Sequence, residues 1–137
     1  IISQFLNEQK PIELGNVTPT RDLTYVLDTC NGFLDVFKSE ALFGEVTNIG
    51  MNSEISISDL VDLIANLMNA DITIVSSKER TRPGNSEVER LVCDNSKLLK
   101  YTTWQPEYTL EQGISKVIEW IKKPDNLELY KAEQYNV

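Results

Sequence analysis

Apolar positions change their spacing several times along the chain, and each change marks an element. Ile1, Ile2, Phe5 and Leu6 suit an amphipathic helix over residues 1–8. Lys10-Pro11 stops it, because proline disfavours the helical conformation in the residue before it. Ile12-Glu13-Leu14 is a strand candidate closed by Gly15-Asn16. Thr20 to Val26 is rich in β-formers, with Leu23 and Tyr25 on one face and Arg21 on that same face near the start. From Val26 the period becomes 3.6: Val26, Cys30, Phe33, Leu34 and Phe37 form one stripe, which predicts a helix over residues 27–37. Val46-Thr47-Asn48-Ile49 reads as a short strand ended by Gly50, with a turn at Met51-Asn52-Ser53.

Ser56-Ile57-Ser58-Asp59 resembles a capping box, opening a helix over residues 57–69 whose stripe is Ile57, Leu60, Val61, Ile64, Leu67 and Met68. Ile72 to Val75 is a further strand and leads directly into an arginine-bearing stretch. Asp94 or Ser96 can cap a helix carrying Leu98 and Leu99, which Trp104-Gln105-Pro106 terminates. A second capping box, Thr109-Leu110-Glu111-Gln112, opens a helix over residues 110–122 with Leu110, Ile114, Val117, Ile118 and Ile121 in register. Pro124 ends it. The pattern predicts a mixed α/β domain, a small sheet with covering helices, over residues 1–124, and a polar tail over 125–137.

The stretch Glu79-Arg80-Thr81-Arg82-Pro83-Gly84-Asn85-Ser86-Glu87-Val88 carries the most specific chemistry. A guanidinium fork makes two parallel charge-assisted hydrogen bonds to phosphate oxygens, and a Pro-Gly turn restricts the backbone that aims it. A polar surface loop would look similar, and Arg80 reads as the partner of Glu79 or Glu87 in an exposed ion pair worth little. Its place after a strand favours a ligand site, since loops leaving strand ends are where ligands gather in α/β folds.

Composition narrows the chemistry. With 137 residues, 41% of them apolar, the chain suits one domain. Thirteen Lys and Arg against 21 Asp and Glu give a net charge of −8, which disfavours nucleic-acid binding. Histidine is absent, which removes His-based metal sites, triads and general bases. Cys30 and Cys93 form neither a CxxC motif nor a disulfide framework and read as reduced core residues of a cytoplasmic protein. No apolar run approaches the roughly 20 residues of a membrane span. The first residue is Ile rather than Met, inside what reads as a helix, which suggests a piece of something longer.

Taken in order, Arg21-Asp22-Leu23-x-Tyr25-Val26, Asn48-Ile49-Gly50, Arg82-Pro83-Gly84, Asp94-x-Ser96-Lys97, Trp104-x-Pro106 and Leu110-Glu111-x-Gly113-Ile114 resemble the C-terminal part of the extended short-chain dehydrogenase/reductases, the NAD-dependent nucleotide-sugar epimerases and dehydratases. The likeness covers residues 11–121. The run from Arg82 to Val88 most resembles the 4,6-dehydratases that act on UDP-N-acetylhexosamines. The resemblance implies a parent enzyme, homodimeric, that holds NAD and a catalytic Tyr-x-x-x-Lys pair in a preceding Rossmann domain. Neither a Gly-x-x-Gly-x-x-Gly turn nor a Tyr-x-x-x-Lys pair occurs in this chain. No catalytic or cofactor residue can be named in it, and the resemblance leaves it nucleotide-sugar binding, with a UDP-sugar favoured.

Position by position, the resemblance puts Arg82 on the nucleotide diphosphate, Asn85 on the same ligand, and Arg21 on the same phosphates from a strand start. It makes Ile12, Glu13 and Leu14 the short strand whose backbone meets the base edge, and nominates Asn52 for substrate binding, beside Ser53 where several dehydratases keep asparagine. Glu89 stands where some epimerases keep tyrosine. Trp104 and Pro106 read as packing residues. A 4-epimerase of the same family, or an independent acidic α/β interaction module, would also account for parts of the pattern. A face meant for the absent domain should be apolar and bare.

Overall fold

A computed structural model of the chain describes residues 1–7, 11–71, 73–77, 80 and 87–130. After the short helix α1 (Ile2–Leu6), β1 (Ile12–Leu14) runs parallel to β4 (Ile74–Ser76), with Ile12 opposite Ile74. A second sheet has β2 (Thr20–Arg21) at its centre, antiparallel to β3 (Ile55–Ser56) and parallel to β5 (Arg90–Leu91). Helices α2 (Val26–Lys38), α3 (Ile57–Met68), α4 (Ser96–Tyr101), α5 (Leu110–Ile121) and the single turn α6 (Pro124–Leu127) complete the mixed α/β fold.

The core forms where α3 and α5 meet. Val61, Ile64 and Ala65 of α3 are buried with Ile118 and Ile121 of α5, alongside Ile12, Leu98 and Trp104. Two of the three long helices, α3 and α5, are started by side chains. Thr109 and Gln112 form a reciprocal capping box on α5. On α3, Ser56 Oγ accepts from the Asp59 N–H at 3.0 Å and donates to the Asp59 carboxylate at 2.6 Å, so the second half of the expected box is replaced by a side-chain bond. Ser56 is itself the last residue of β3.

Several expectations need correction. Residues 46–49 are not a strand: Val46 is 86% exposed and its carbonyl accepts from Lys97 Nζ, while Ile49 lies against α2. The strand expected over 20–26 closes after two residues, because α2 already begins at Val26. The β structure lies instead partly in β3 and β5, two-residue segments too short to show alternation. Ile72 and Glu8 lie outside the described residues, as does the tail beyond 130; residues 124–127 of that end are helical. Neither cysteine is a core residue: both are free thiols, Cys30 exposed and Cys93 half-buried. Trp104 packs as expected, but Pro106 is exposed.

α2 turns its apolar stripe away from the core. Its buried residues are Asp28 and Gly32, whereas Val26, Phe33 (65% exposed), Leu34 and Phe37 (78%) point outward. Gly32 permits close approach, since a Cβ there would come within 2.6 Å of Ile49. Asp28, 0% exposed, is held by what its carboxylate accepts: the N–H of Glu107 at 2.9 Å and of Tyr108 at 3.3 Å. Its carbonyl accepts from Trp104 Nε1 at 2.9 Å. The inner face of α2 is thus polar and small, and its apolar stripe is bare.

Two outcomes follow from this arrangement. Asp28→Ala leaves two backbone N–H groups near 107 and 108 without an acceptor and should cost about 2–4 kcal/mol, read as a lower urea midpoint at unchanged m. Asp28→Asn, which keeps one acceptor oxygen, should lose less. The bare stripe should drive self-association with rising concentration in sedimentation velocity, and Phe33→Ser with Phe37→Ser should relieve it without lowering the urea midpoint. A strictly monomeric species at high concentration, formed by this 137-residue chain without the two substitutions, would contradict the second expectation.

Candidate functional site

The arginine expected at a strand start lies at the strand's second and last residue. Arg21 occupies the middle strand of its sheet, and its Nη1 donates to the carbonyls of Thr20 and Val88, both at 2.7 Å. Its Nη2 meets Glu87 Oε1 at 3.0 Å, in an ion pair whose side chains are 21% and 13% exposed. Asp22, the next residue, turns its carboxylate to the backbone. Its oxygens accept from the N–H groups of Met51 at 3.0 Å, Asn52 at 2.9 Å and Cys93 at 3.1 Å.

Those bonds hold a tight turn. Asn52 has φ 54°, a left-handed conformation that asparagine adopts more readily than most side chains. Gly50 is required just before it, because a Cβ would strike the Cys93 side chain. The turn and Arg21 border one small cavity of about 130 Å³, lined by Arg21, Leu23, Met51, Ser53, Glu54 and others. Leu23 and Leu110 are shared with a larger apolar cavity of about 290 Å³ between the start of α2 and α5.

Beside Arg21, Glu54 binds across the sheet to both neighbouring strands. Arg90 gives it Nε and Nη2 hydrogen bonds, the shortest 2.8 Å, and Thr20 Oγ1 donates at 2.5 Å. Those bonds, Arg90 first and then Thr20, hold the Glu54 carboxyl below its ordinary range and raise Arg90. The Cys93 thiol is pushed up by burial, then by the charges of Asp22 and Asp94.

At the other sheet, the backbone of β1 is largely committed. Ile12 N–H donates to Thr73 and the Leu14 carbonyl accepts from Ser77. On the free edge, buried Gln4 of α1 answers Glu13 twice, donating from Nε2 to its carbonyl at 3.1 Å and accepting its N–H at 2.8 Å. A base edge meeting this strand would therefore find the Glu13 backbone groups already paired. Gln4 was missed; the signal available was a hydrogen-bonding amide between the apolar pairs Ile1-Ile2 and Phe5-Leu6. Arg80 pairs with the Glu13 side chain at 3.7 Å, and Glu87 belongs to Arg21.

Arg82 and Asn85 lie outside the described residues, but the stems of their segment do not. It departs from β4 at Ser77, bonded to Leu14, and at Arg80, paired with Glu13. It returns at Glu87 and Val88, both bonded to Arg21, and Glu89 accepts from Thr20 N–H. Both ends of the arginine segment are therefore fastened to residues the sequence nominated, β1 at one end and Arg21 at the other. The Asn52 turn is joined to Arg21 through Asp22. Among the described residues, no group of His, Cys, Asp or Glu side chains is placed to hold a metal ion, and no helix is long and apolar enough to cross a membrane.

The family model described as GDP-mannose 4,6 dehydratase matches residues 1–117. The chain belongs to that family. With it come the extended short-chain dehydrogenase/reductase epimerases and dehydratases that the ordered landmarks resemble. It is 29% identical over 131 residues to UDP-glucuronate 4-epimerase of Thermodesulfobacterium geofontis, covering 94% of this chain and 38% of that protein. It superimposes with TM-score 0.78 and 30% identity on UDP-glucuronic acid 4-epimerase from Bacillus cereus in complex with UDP-glucuronic acid and NAD, over 94% of this chain and 38% of that one. A dTDP-glucose 4,6-dehydratase from Bacillus anthracis in complex with NAD matches with TM-score 0.73 and 27% identity, over 90% and 38%. The chain thus spans under two-fifths of the length of these relatives.

The Asp22 contacts can be tested through Cys93. Asp22→Asn removes a charge that opposes the thiolate, so the alkylation rate of Cys93 should begin to rise at lower pH, partway towards an ordinary thiol because burial remains. Mass spectrometry resolves it from Cys30, the exposed internal reference. An unchanged Cys93 profile would contradict the contact.

Proposed function

We propose that residues 1–124 of this chain form the nucleotide-sugar-binding part of an NAD-dependent sugar-nucleotide 4,6-dehydratase, holding the nucleoside diphosphate of a UDP-sugar. The observation that carries this is the fastening of both ends of the arginine segment, to β1 and to Arg21. The chain between those two ends carries Arg82 and Asn85, which the resemblance puts on the same ligand as Arg21. A nucleoside diphosphate joined to a sugar carries about two negative charges, and guanidinium forks can meet its oxygens with paired N–H donors that set its orientation.

NAD and the proton-transfer pair belong, in this reading, to the other three-fifths of a protein as long as the relatives. The outward apolar stripe of α2 is the surface on which that portion would pack. A 4-epimerase is the second reading, favoured by the likeness to the UDP-glucuronic acid 4-epimerase complex. Both use the same diphosphate site, since epimerisation and dehydration diverge at the reacting sugar carbon. A cytoplasmic, homodimeric parent accords with the free thiols and the family.

Calorimetry with UDP tests the assignment. Arg82→Ala should weaken binding about ten- to a hundredfold, the loss of a charge-assisted contact worth roughly 1.5–3 kcal/mol. Lys in its place should recover only part, because a point charge lacks the bidentate geometry. In the longer protein NAD affinity should stay unchanged, and this chain alone should not take up NAD. Indifference of UDP binding to Arg82→Ala would end the proposal.

A further inference from the structure

Glu87 is assigned nothing by the family resemblance, yet it meets Arg21 where the arginine segment rejoins the sheet. A guanidinium has five N–H donors. Bonds to Thr20, Val88 and Glu87 use both hydrogens on Nη1 and one on Nη2. The Nε–H and the second Nη2–H have no partner among the described residues, and Arg21 lines the cavity beside the Asn52 turn. Two neutral carbonyls on one nitrogen leave the fork free to tilt. The carboxylate on the second nitrogen removes that freedom, at 13% exposure where screening is weak.

We propose that Glu87 is a positioning residue for the diphosphate, acting through Arg21 and not by touching the ligand. It rests on the reading of Arg21 as a phosphate contact. The pairing is informative because it is electrostatically adverse: an anion beside Arg21 cancels the charge that would attract a phosphate. A residue retained there for attraction alone would be the wrong sign. What it supplies is direction, fixing the fork whose two remaining N–H donors are left for an oxygen to meet. Ligand recognition at Arg21 is then geometric, and a compact diphosphate placed correctly gains over a diffuse polyanion.

A double-mutant cycle read by UDP calorimetry on the full chain, with thermal melting run alongside, tests this. Glu87→Ala should weaken UDP binding roughly three- to tenfold, and Glu87→Gln, which keeps an acceptor, should restore part of it. In an Arg21→Ala background, Glu87→Ala should have no further effect. Equal losses in both backgrounds would mean that Glu87 touches the ligand, and would overturn the positioning role. Unchanged or tighter binding by Glu87→Ala, while Arg21→Ala weakens it, overturns the inference and leaves the diphosphate assignment standing. Indifference to Arg21→Ala removes the assignment itself. Should an alanine variant melt below the assay temperature, Glu87→Gln and Arg21→Lys complete the same cycle, with coupling of the same sign and smaller size expected.

Discussion

A single carboxylate holds the centre of this domain together. Strands of two or three residues form few ladder bonds, so the loops around them need acceptors from elsewhere. Asp22 provides them, taking three backbone N–H groups from two segments far apart in sequence. The left-handed Asn52, the obligatory Gly50 and the approach of Cys93 are conditions for that convergence. Arg21 is one peptide away, so its position in the sheet depends on the same bonds.

Asp28 repeats the device on α2, and the consequence reaches beyond the domain. Because a buried aspartate and a glycine make the inner face, the helix is anchored by hydrogen bonds and close backbone approach instead of by its apolar stripe. The stripe is left for something else to cover. An amphipathic helix turned outward in this way is inefficient as a free-standing design, since its most apolar residues add nothing to the core they border.

Long periodic helices were legible in the sequence, and the reasons are physical. α3 and α5 bury the middle of the stripes their spacing implies, Val61 and Ile64 on one and Ile118 and Ile121 on the other, while Leu67 and Val117 stay partly exposed, and Thr109 caps as its motif states. The spacing of α2 was equally legible, but periodicity reports which residues share a face, never what that face meets. β3 and β5 were not legible, because two residues cannot alternate and their backbone partners on β2 lie far away in sequence. Of the nominated site residues, Arg21 and β1 are tied to the arginine segment, and Asn52 is linked through Asp22. Glu87 was read as a partner for Arg80 because they share a loop, whereas the sheet brings it to Arg21, 66 residues away.

Charge gives the last constraint on how such a domain could hold a dianion. With a net charge of −8, its long-range field repels phosphate. Among the described residues the arginines are paired with acids: Arg21 with Glu87, Arg80 with Glu13 and Arg90 with Glu54. Neutralised pairs steer nothing from a distance, and at physiological salt a field fades within about 8 Å. Attraction would have to begin at contact, through N–H donors already aimed before the ligand arrives. That places the demand at Arg21 on orientation, because Glu87 already offsets its charge, and an arginine held in this way could not supply long-range attraction as well.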